Sequence, residues 1–392
     1  MMLPNGWKKV KLGDLVSVAS GRNKVRNDMG KYPVYGSTGI IGLCDDFQYS
    51  GDSILIARVG ANAGFIHRAN GQYDVSDNTL VVECGKEYDF AFAYQQLRGI
   101  NLNQYVFGSG QPLVTGGLLK KIELSLPPLE EQKKIAATLS VWDSAIEKME
   151  KLIEAKSEQK KTLTYKLIEN QNDVKFKLGN IAIDKSKWKK KKFKDVFEFL
   201  PTNTYSRELM SNDEGSIKNI HYGDVLVKYA ELLDVNSARI PCLKSSVDSS
   251  KMTFLQSGDI VIADTAEDET VGKAVEILNI KNHLVVSGLH TMLCRPQKEI
   301  FYYGWLGYYI NSKEFHRQLI PLITGIKVSS IAKKDIVDTF ILIPSIQEQK
   351  IIVETLSETN KEISLLKQQL ENYKKQKQGL MQKLLTGQWR VK

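Results

Sequence analysis

The sequence predicts an α+β protein made twice over. Two α/β-type globular domains each run into a long helix, and the two helices pair antiparallel as a coiled coil with a pseudo-twofold internal repeat. Three observations lead there. The segment LPPLEEQKKIAATLS at 126 to 140 returns as IPSIQEQKIIVETLS at 343 to 357. Both copies continue with apolar residues at alternating steps of four and three, the 3.5-residue spacing of a coiled-coil seam. The rest of the chain reads largely as short β-type runs cut by glycine-rich turns.

Taken in order, GWKKVKLGDLV at 6 to 16 opens the first domain, and KWKKKKFKDVF at 187 to 197 echoes it, with Trp7 matching Trp188 and Asp14 matching Asp195. The stretch 31 to 82 holds the short strands, including YPVYGSTGIIG, GDSILIARVG and VSDNTLVV. A helix is expected at 88 to 99, then a loop FGSGQPLVTGG, then a last strand KIELSL. Pro127 and Pro128 suit an entry turn but would break a helix interior. The seam of the first helix runs through Ile135, Leu139, Trp142, Ile146, Met149, Ile153, Leu163 and Leu167. The second domain repeats the scheme with more material: SGDIVIA at 257 to 263 resembles SGDSILIA at 50 to 57, and one aromatic-rich helix is expected at 301 to 319. After Pro344 the second seam runs through Ile352, Leu356, Ile363, Leu366, Leu370, Tyr373, Leu380 and Leu384. The boundaries read as a domain over 1–126, a helical region over 127–172, a domain over 173–343 and a helical region over 344–392. Helices of roughly 40 residues at about 1.5 Å per residue are about 60 Å long. Each seam is interrupted at the same place, by Lys160 and Lys377, whose stems are expected along the seam with their heads in water.

Composition narrows the function. The net charge is +9, which suits a polyanionic partner. The excess is spread out, with 13 basic and 11 acidic groups in residues 1–126 and 24 and 21 in residues 173–343. That favours selected contacts over an unselective grip on phosphate. The 4 cysteines, Cys44, Cys84, Cys242 and Cys294, form no CxxC pair, and the 5 histidines form no HxxxH. Neither a zinc site nor a disulfide framework is expected, and each cysteine reads as a small buried apolar side chain. No apolar run approaches the roughly 18 residues of a membrane span, and the N-terminus lacks a secretory pattern, so a cytoplasmic location is expected. Catalytic motifs are missing. FGSG at 107 to 110 is an incomplete methyl-donor motif, TVGKAV at 270 to 275 lacks the residues of a phosphate loop, and AEDET at 266 to 270 reads as a solvated loop.

The chain resembles the specificity subunit of type I restriction-modification systems, with two target recognition domains each followed by a conserved helical region. IELSLPPLEEQKKIAATLSVWDSAI, FILIPSIQEQKIIVETLSETNKEI and TGQWR carry the resemblance. Ser345 and Gln347 depart from the first copy, and no clear counterpart of YPVYGSTG is visible in the second domain. The resemblance implies a non-catalytic, DNA-reading subunit that binds no cofactor of its own. Partner methyltransferase subunits would bring S-adenosylmethionine, and restriction subunits ATP and Mg. The target is double-stranded DNA, a bipartite site with one half per domain. Candidate readers are Arg22, Asn23, Lys24, Arg26, Ser37, Thr38, Arg58, Asn62 and Gln111 in the first domain. In the second they are Asn203, Tyr205, Arg207, Lys273, His290 and Lys327. Arg or Lys can grip guanine and Asn or Gln adenine; the bland alternative is a phosphate contact or plain solvation. Lys189 to Lys192 are expected at phosphate or in water. Two rival functions stay open on sequence alone: a self-contained DNA methyltransferase or nuclease, and a coiled-coil tether of two protein- or glycan-binding modules.

Overall fold

The computed structural model of the protein describes residues 3–22, 27, 29–105, 112–170, 174–212, 214–325 and 327–391, the side chain of Lys298 excepted. The chain forms two compact units. The first comprises Met1–Ile153 with Leu366–Lys392, the second Glu154–Leu365. Each unit is therefore one globular head with a stretch of each long helix.

In the first unit, strand Lys8–Lys11 pairs antiparallel with Glu123–Leu126, so the WKK cue closes the head against the strand that leads into the helix. A four-stranded antiparallel sheet runs in the order Val16–Ser20, Thr79–Cys84, Ser53–Ala57, Ile66–Ala69. Ser53–Ala57 is buried along its whole length. Successive strand residues face opposite ways. Ile54 and Ile56 accordingly join the main core with Leu80, Phe92 and Leu97, while Leu55 joins a second core with Tyr73, Val75 and Val81. Burial on both faces explains why ILIA at 54 to 57 reads as a continuous apolar run. A second sheet contains Tyr32–Gly36, which pairs parallel with Gln72–Val75. The expected helix spans Phe90–Gly99, started by Asp89, whose carboxylate accepts from Phe92 N at 2.9 Å.

The second unit repeats this plan. Lys189–Lys192 pairs with Phe340–Ile343. Two of the four lysines of this strand have protein partners: Lys192 bonds Asp338 at 2.9 Å and Lys190 lies over the Phe340 ring, while Lys189 and Lys191 are exposed. In strand Ile260–Ala263, Ile260 and Ile262 enter one core with Met292 and Trp305, and Val261 and Ala263 enter another with Val275 and Leu293. Strand Ile217–Ile220 pairs parallel with Leu284–Ser287, as Tyr32–Gly36 does with Gln72–Val75. The counterpart of YPVYGSTG is thus IKNIHYGD at 217 to 224, which sequence comparison alone did not reveal. The aromatic segment 301 to 319 is two helices rather than one, Trp305–Ile310 and Lys313–Leu319. Asn311 ends the first by donating to the carbonyl of Gly307 at 2.6 Å, and Ser312 caps the second. Trp305, Tyr308, Tyr309 and Phe315 are core residues.

The long helices span Leu129–Thr164, continued by a π-helical turn at Tyr165–Glu169, and Ile346–Leu385. Each start is clamped by the repeated Glu-Gln pair. Gln132 accepts from Asp89 N at 2.8 Å and donates to the carbonyls of Glu87 and Pro127, both at 3.0 Å. Gln349 does the same with Tyr302 N at 2.7 Å and the carbonyls of Ile300 and Pro344 at 3.0 and 2.9 Å. Glu131 accepts from the Trp7 indole at 3.1 Å and is forked by Arg390 at 2.6 and 2.8 Å, which gives the terminal TGQWR its role. Glu348 accepts from the Trp188 indole at 3.3 Å, Asp184 N at 2.9 Å and the Ser345 hydroxyl at 2.7 Å. The first helix ends where Lys185 Nζ donates to the carbonyls of Lys166 and Asn170. The second ends at Gly387, whose positive φ of 75° suits glycine.

Within each unit the helix segments run antiparallel. In the first, Asp143 meets Lys377 and Glu150 meets Lys374, while Ile135, Leu139 and Leu384 share a core. In the second, Lys156 meets Glu362, and Leu167, Ile352 and Leu356 share a core. Leu163 and Leu380 pack on the same cores, so the seam's outer residues belong to the heads. Trp142 meets Tyr373 edge to face at 5.9 Å. Ile146, Met149, Ile153, Leu366 and Leu370 are half-buried and Ile363 is buried. Off the seam, Val141 is 69% and Leu365 51% exposed. The two lysines depart from expectation. Lys377 is 5% exposed, its Nζ 2.5 Å from Asp143 Oδ1, and Lys160 Nζ lies 2.5 Å from Glu231 Oε1.

Candidate nucleic-acid interface

In the first head, backbone hydrogen bonds draw several loops to one edge. Gly21 N donates to Thr79 O at 3.1 Å, Ser76 N to Tyr35 O at 2.8 Å and Arg58 N to Asn78 O at 2.8 Å. Val114 N donates to Arg58 O at 2.8 Å and Gly60 N to Pro112 O at 3.0 Å. These loops carry Arg22, Ser37, Thr38, Arg58 and Asn62. Ser37 and Thr38 form the tip of the hairpin closed by Gly36 and Gly39, where φ of 106° at Gly39 requires a residue without Cβ strain. Arg22, Thr38 and Asn62 are exposed, and Ser37 and Arg58 half-buried. Asn23, Lys24, Arg26 and Gln111, with the FGSGQ loop, lie outside the described residues.

Polar atoms without partners collect here. Arg58 Nε, Ser76 Oγ and His67 Nε2 are buried and have no hydrogen-bond partner among the described residues. Such groups are rare in native proteins and call for an explanation. A groove of about 760 Å³ adjoins the edge, lined by Tyr35, Asn62, His67, Arg68, Tyr94 and Arg98 among others. The Arg68 guanidinium lies over the rings of Phe90 and Tyr94 at 5.0 and 5.2 Å, and Arg98 is paired with Asp143 at 3.2 Å. Arg68 is not among the candidates read from the sequence, all of which were expected on loops; it sits in strand Ile66–Ala69. The strand's outer place in the sheet order is what exposes it.

The second head repeats three of these bonds. Gly288 N donates to Ile220 O at 2.9 Å, Asp264 N to His290 O at 3.1 Å and Ile331 N to Asp264 O at 2.9 Å. Asn203 joins through Ser287 O at 2.9 Å, and its side chain is committed internally, donating to Asn219 Oδ1 at 2.7 Å and accepting from Tyr205 N at 3.2 Å. The Tyr205 hydroxyl donates to Asp248 O at 3.3 Å, and Arg207 pairs with Asp224 at 2.7 Å. His290, at φ 53°, brings Nδ1 within 3.4 Å of Thr265 Oγ1. Lys273 is turned away. Its ammonium donates to the carbonyl of Leu226 at 2.7 Å, and burial lowers its pKa. Lys327 is exposed, two residues before strand Ser329–Ser330, which pairs with Thr265–Ala266. His221, which sequence reading passed over, starts helix Tyr222–Val227 by accepting from Gly223 N at 3.2 Å; burial lowers its pKa, with Arg207 adding to the effect. Among the described residues no group of three or more His, Cys, Asp or Glu is placed to hold a metal. No helix among them is long and apolar enough to cross a membrane. None of the four cysteines is in a disulfide; Cys44 and Cys294 are buried, whereas Cys84 and Cys242 are half-buried rather than the buried side chains expected.

Comparison with known proteins agrees with this duplicated plan. A family model described as the type I restriction modification DNA specificity domain matches residues 4–157 and again 185–374. The type I restriction enzyme MjaVIII specificity subunit of Methanocaldococcus jannaschii is 26% identical over 420 residues, covering 100% of this chain and 95% of that protein. The EcoprrI specificity subunit of Escherichia coli is 29% identical over 157 residues, 38% of this chain and 39% of that one. Among solved structures, the S subunit of a type-I restriction-modification system from M. genitalium superposes with a TM-score of 0.60 at 16% identity, covering 98% of both chains. A chain from a study of type I R-M complex assembly and conformational transition gives 0.56 at 17% identity, covering 99% of this chain and 100% of that one. With the family model spanning both halves and each half carrying the same edge and clamp, the chain belongs to the family of type I restriction-modification specificity subunits.

Proposed function

We propose that this chain is the DNA-reading, non-catalytic subunit of a type I complex. Each head reads one half of a bipartite duplex site, and the paired helices set the unread spacer and dock two methyltransferase subunits, with restriction subunits in the full assembly. S-adenosylmethionine, ATP and Mg belong in this proposal to those partners, and the setting is cytoplasmic. The observation that carries the reading is the edge built twice on the same backbone hydrogen bonds but lined with different side chains, the arrangement expected of two readers with unlike targets. Loops on a rigid scaffold are where recognition residues usually reside.

The test is binding of the chain, assembled with its methyltransferase subunits, to duplex DNA. Two separated footprints whose affinity falls steeply with salt are expected. A single footprint, or binding indifferent to salt, would refute the proposal. Methylation by the chain alone would instead favour a self-contained enzyme.

A further inference from the structure

The two edges share a set of backbone hydrogen bonds, and that correspondence identifies positions the sequence does not align. Arg58 donates its amide to Asn78 O and accepts from Val114 N; Asp264 donates to His290 O and accepts from Ile331 N. One residue earlier, Ala57 O accepts from Gly64 N and Ala263 O from Gly272 N. Arg58 and Asp264 therefore hold the same corner of their respective heads with opposite chemistry. Arg58 offers donors, and its buried Nε has no partner among the described residues. Asp264 offers acceptors. Its Oδ1 takes the Thr265 hydroxyl at 2.8 Å and stands 3.7 Å from His290 Nδ1. No hydrogen bond to its Oδ2 forms among the described residues.

We infer that this corner is a specificity-determining position in both heads, with Arg58 reading a guanine edge in one half-site and Asp264 accepting from the exocyclic amino group of cytosine or adenine in the other. The inference rests on the DNA-reading proposal above. Charge favours a base over a phosphate at Asp264. Glu267, Asp268 and Glu269 are exposed within five residues of it and repel phosphate oxygens, whereas the amino groups are the donors that duplex DNA presents in the major groove. Thr265 fixes the carboxylate by bonding one oxygen, which leaves the other to discriminate.

The experiment selects duplexes, randomised in both half-sites, on the complex of this chain with its methyltransferase subunits, for the natural chain and for Arg58→Gln and Asp264→Asn. Asp264→Asn keeps an oxygen for Thr265, and an unchanged melting temperature verifies its fold; Asp264→Glu serves as a second variant. Asp264→Asn should cost about tenfold or more in discrimination at one position of one half-site, and Arg58→Gln the same at one position of the other. The base lost at Asp264 distinguishes cytosine from adenine. Uniform weakening across all sequences, or an unchanged preference, overturns the inference. If the natural chain selects no bipartite sequence at all, the DNA-reading proposal falls and this inference with it.

Discussion

Replacing Asp143 by alanine would leave Lys377 in the helix pair without its counter-ion. The lysine is 5% exposed and its ammonium sits 2.5 Å from Asp143. Burial pulls the Lys377 pKa down, with the Asp143 bond opposing it. On the Asp143 side burial alone would raise the pKa, but bonds from Lys377 and Gln95 outweigh it and the carboxyl stays below its usual value. Removing one member of a fully buried pair costs about 3–5 kcal/mol. The Asp143 side chain is 34% exposed, so water moderates the loss and about 2–3 kcal/mol is the sounder expectation. For a unit of this size that corresponds to about 4–12 °C in melting temperature. Calorimetry on the intact chain, following the transition of the first unit, is the assay. Lys377→Met in the Asp143→Ala background should recover most of the loss, because the seam then closes over an apolar side chain. The acid limb gives an independent check. A carboxyl with a lowered folded pKa contributes stability at neutral pH that disappears as pH falls below the unfolded value of 3.8. Asp143→Ala should flatten that limb. A loss under about 0.5 kcal/mol, the level of an exposed pair, would mean the ammonium is solvated, and the reasoning would fail.

Other expectations follow from the same geometry. Gln349→Leu removes three hydrogen bonds at the second helix start and should destabilise the second unit by about 2–4 kcal/mol. Hydrogen exchange should quicken at Tyr302 N and not at Asp89 N; equal change at both would contradict a local clamp. Glu276 is buried, and burial raises its carboxyl to about 7 against bonds from Gly304 N and Gly307 N. A raised carboxyl means the folded state holds its proton longer, so the second unit should lose stability as pH rises from 4.5 to about 7 and then level off. A denaturation series over that window that is flat for the natural chain would exclude it. Deleting one heptad from each long helix shortens each by about 10 Å and should change the preferred DNA spacer by about three base pairs. An unchanged spacer would remove the helices from that role.

The duplication, the two long helices and their apolar seam were legible in the chain itself, because these signals lie in local spacing. A 3.5-residue period puts side chains on one stripe whatever surrounds the helix, and LPPLEEQ repeated as IPSIQEQ shows without any contact that each half is built alike. The meaning of that repeat was only half visible. The prolines and the seam could be read, but Glu131 and Gln132 look like surface residues until Trp7, Asp89 and Arg390 fold against them. The correspondence of IKNIHYGD with YPVYGSTG, and of Asp264 with Arg58, belonged wholly to the tertiary structure. Parallel strand pairing and edge hydrogen bonds use backbone atoms that every residue shares, so side chains there could diverge beyond recognition while the geometry stayed. The same holds for Lys377. A charge on an apolar stripe announces itself in the sequence, but its partner lies 234 residues away, and only the packed helices bring the two together.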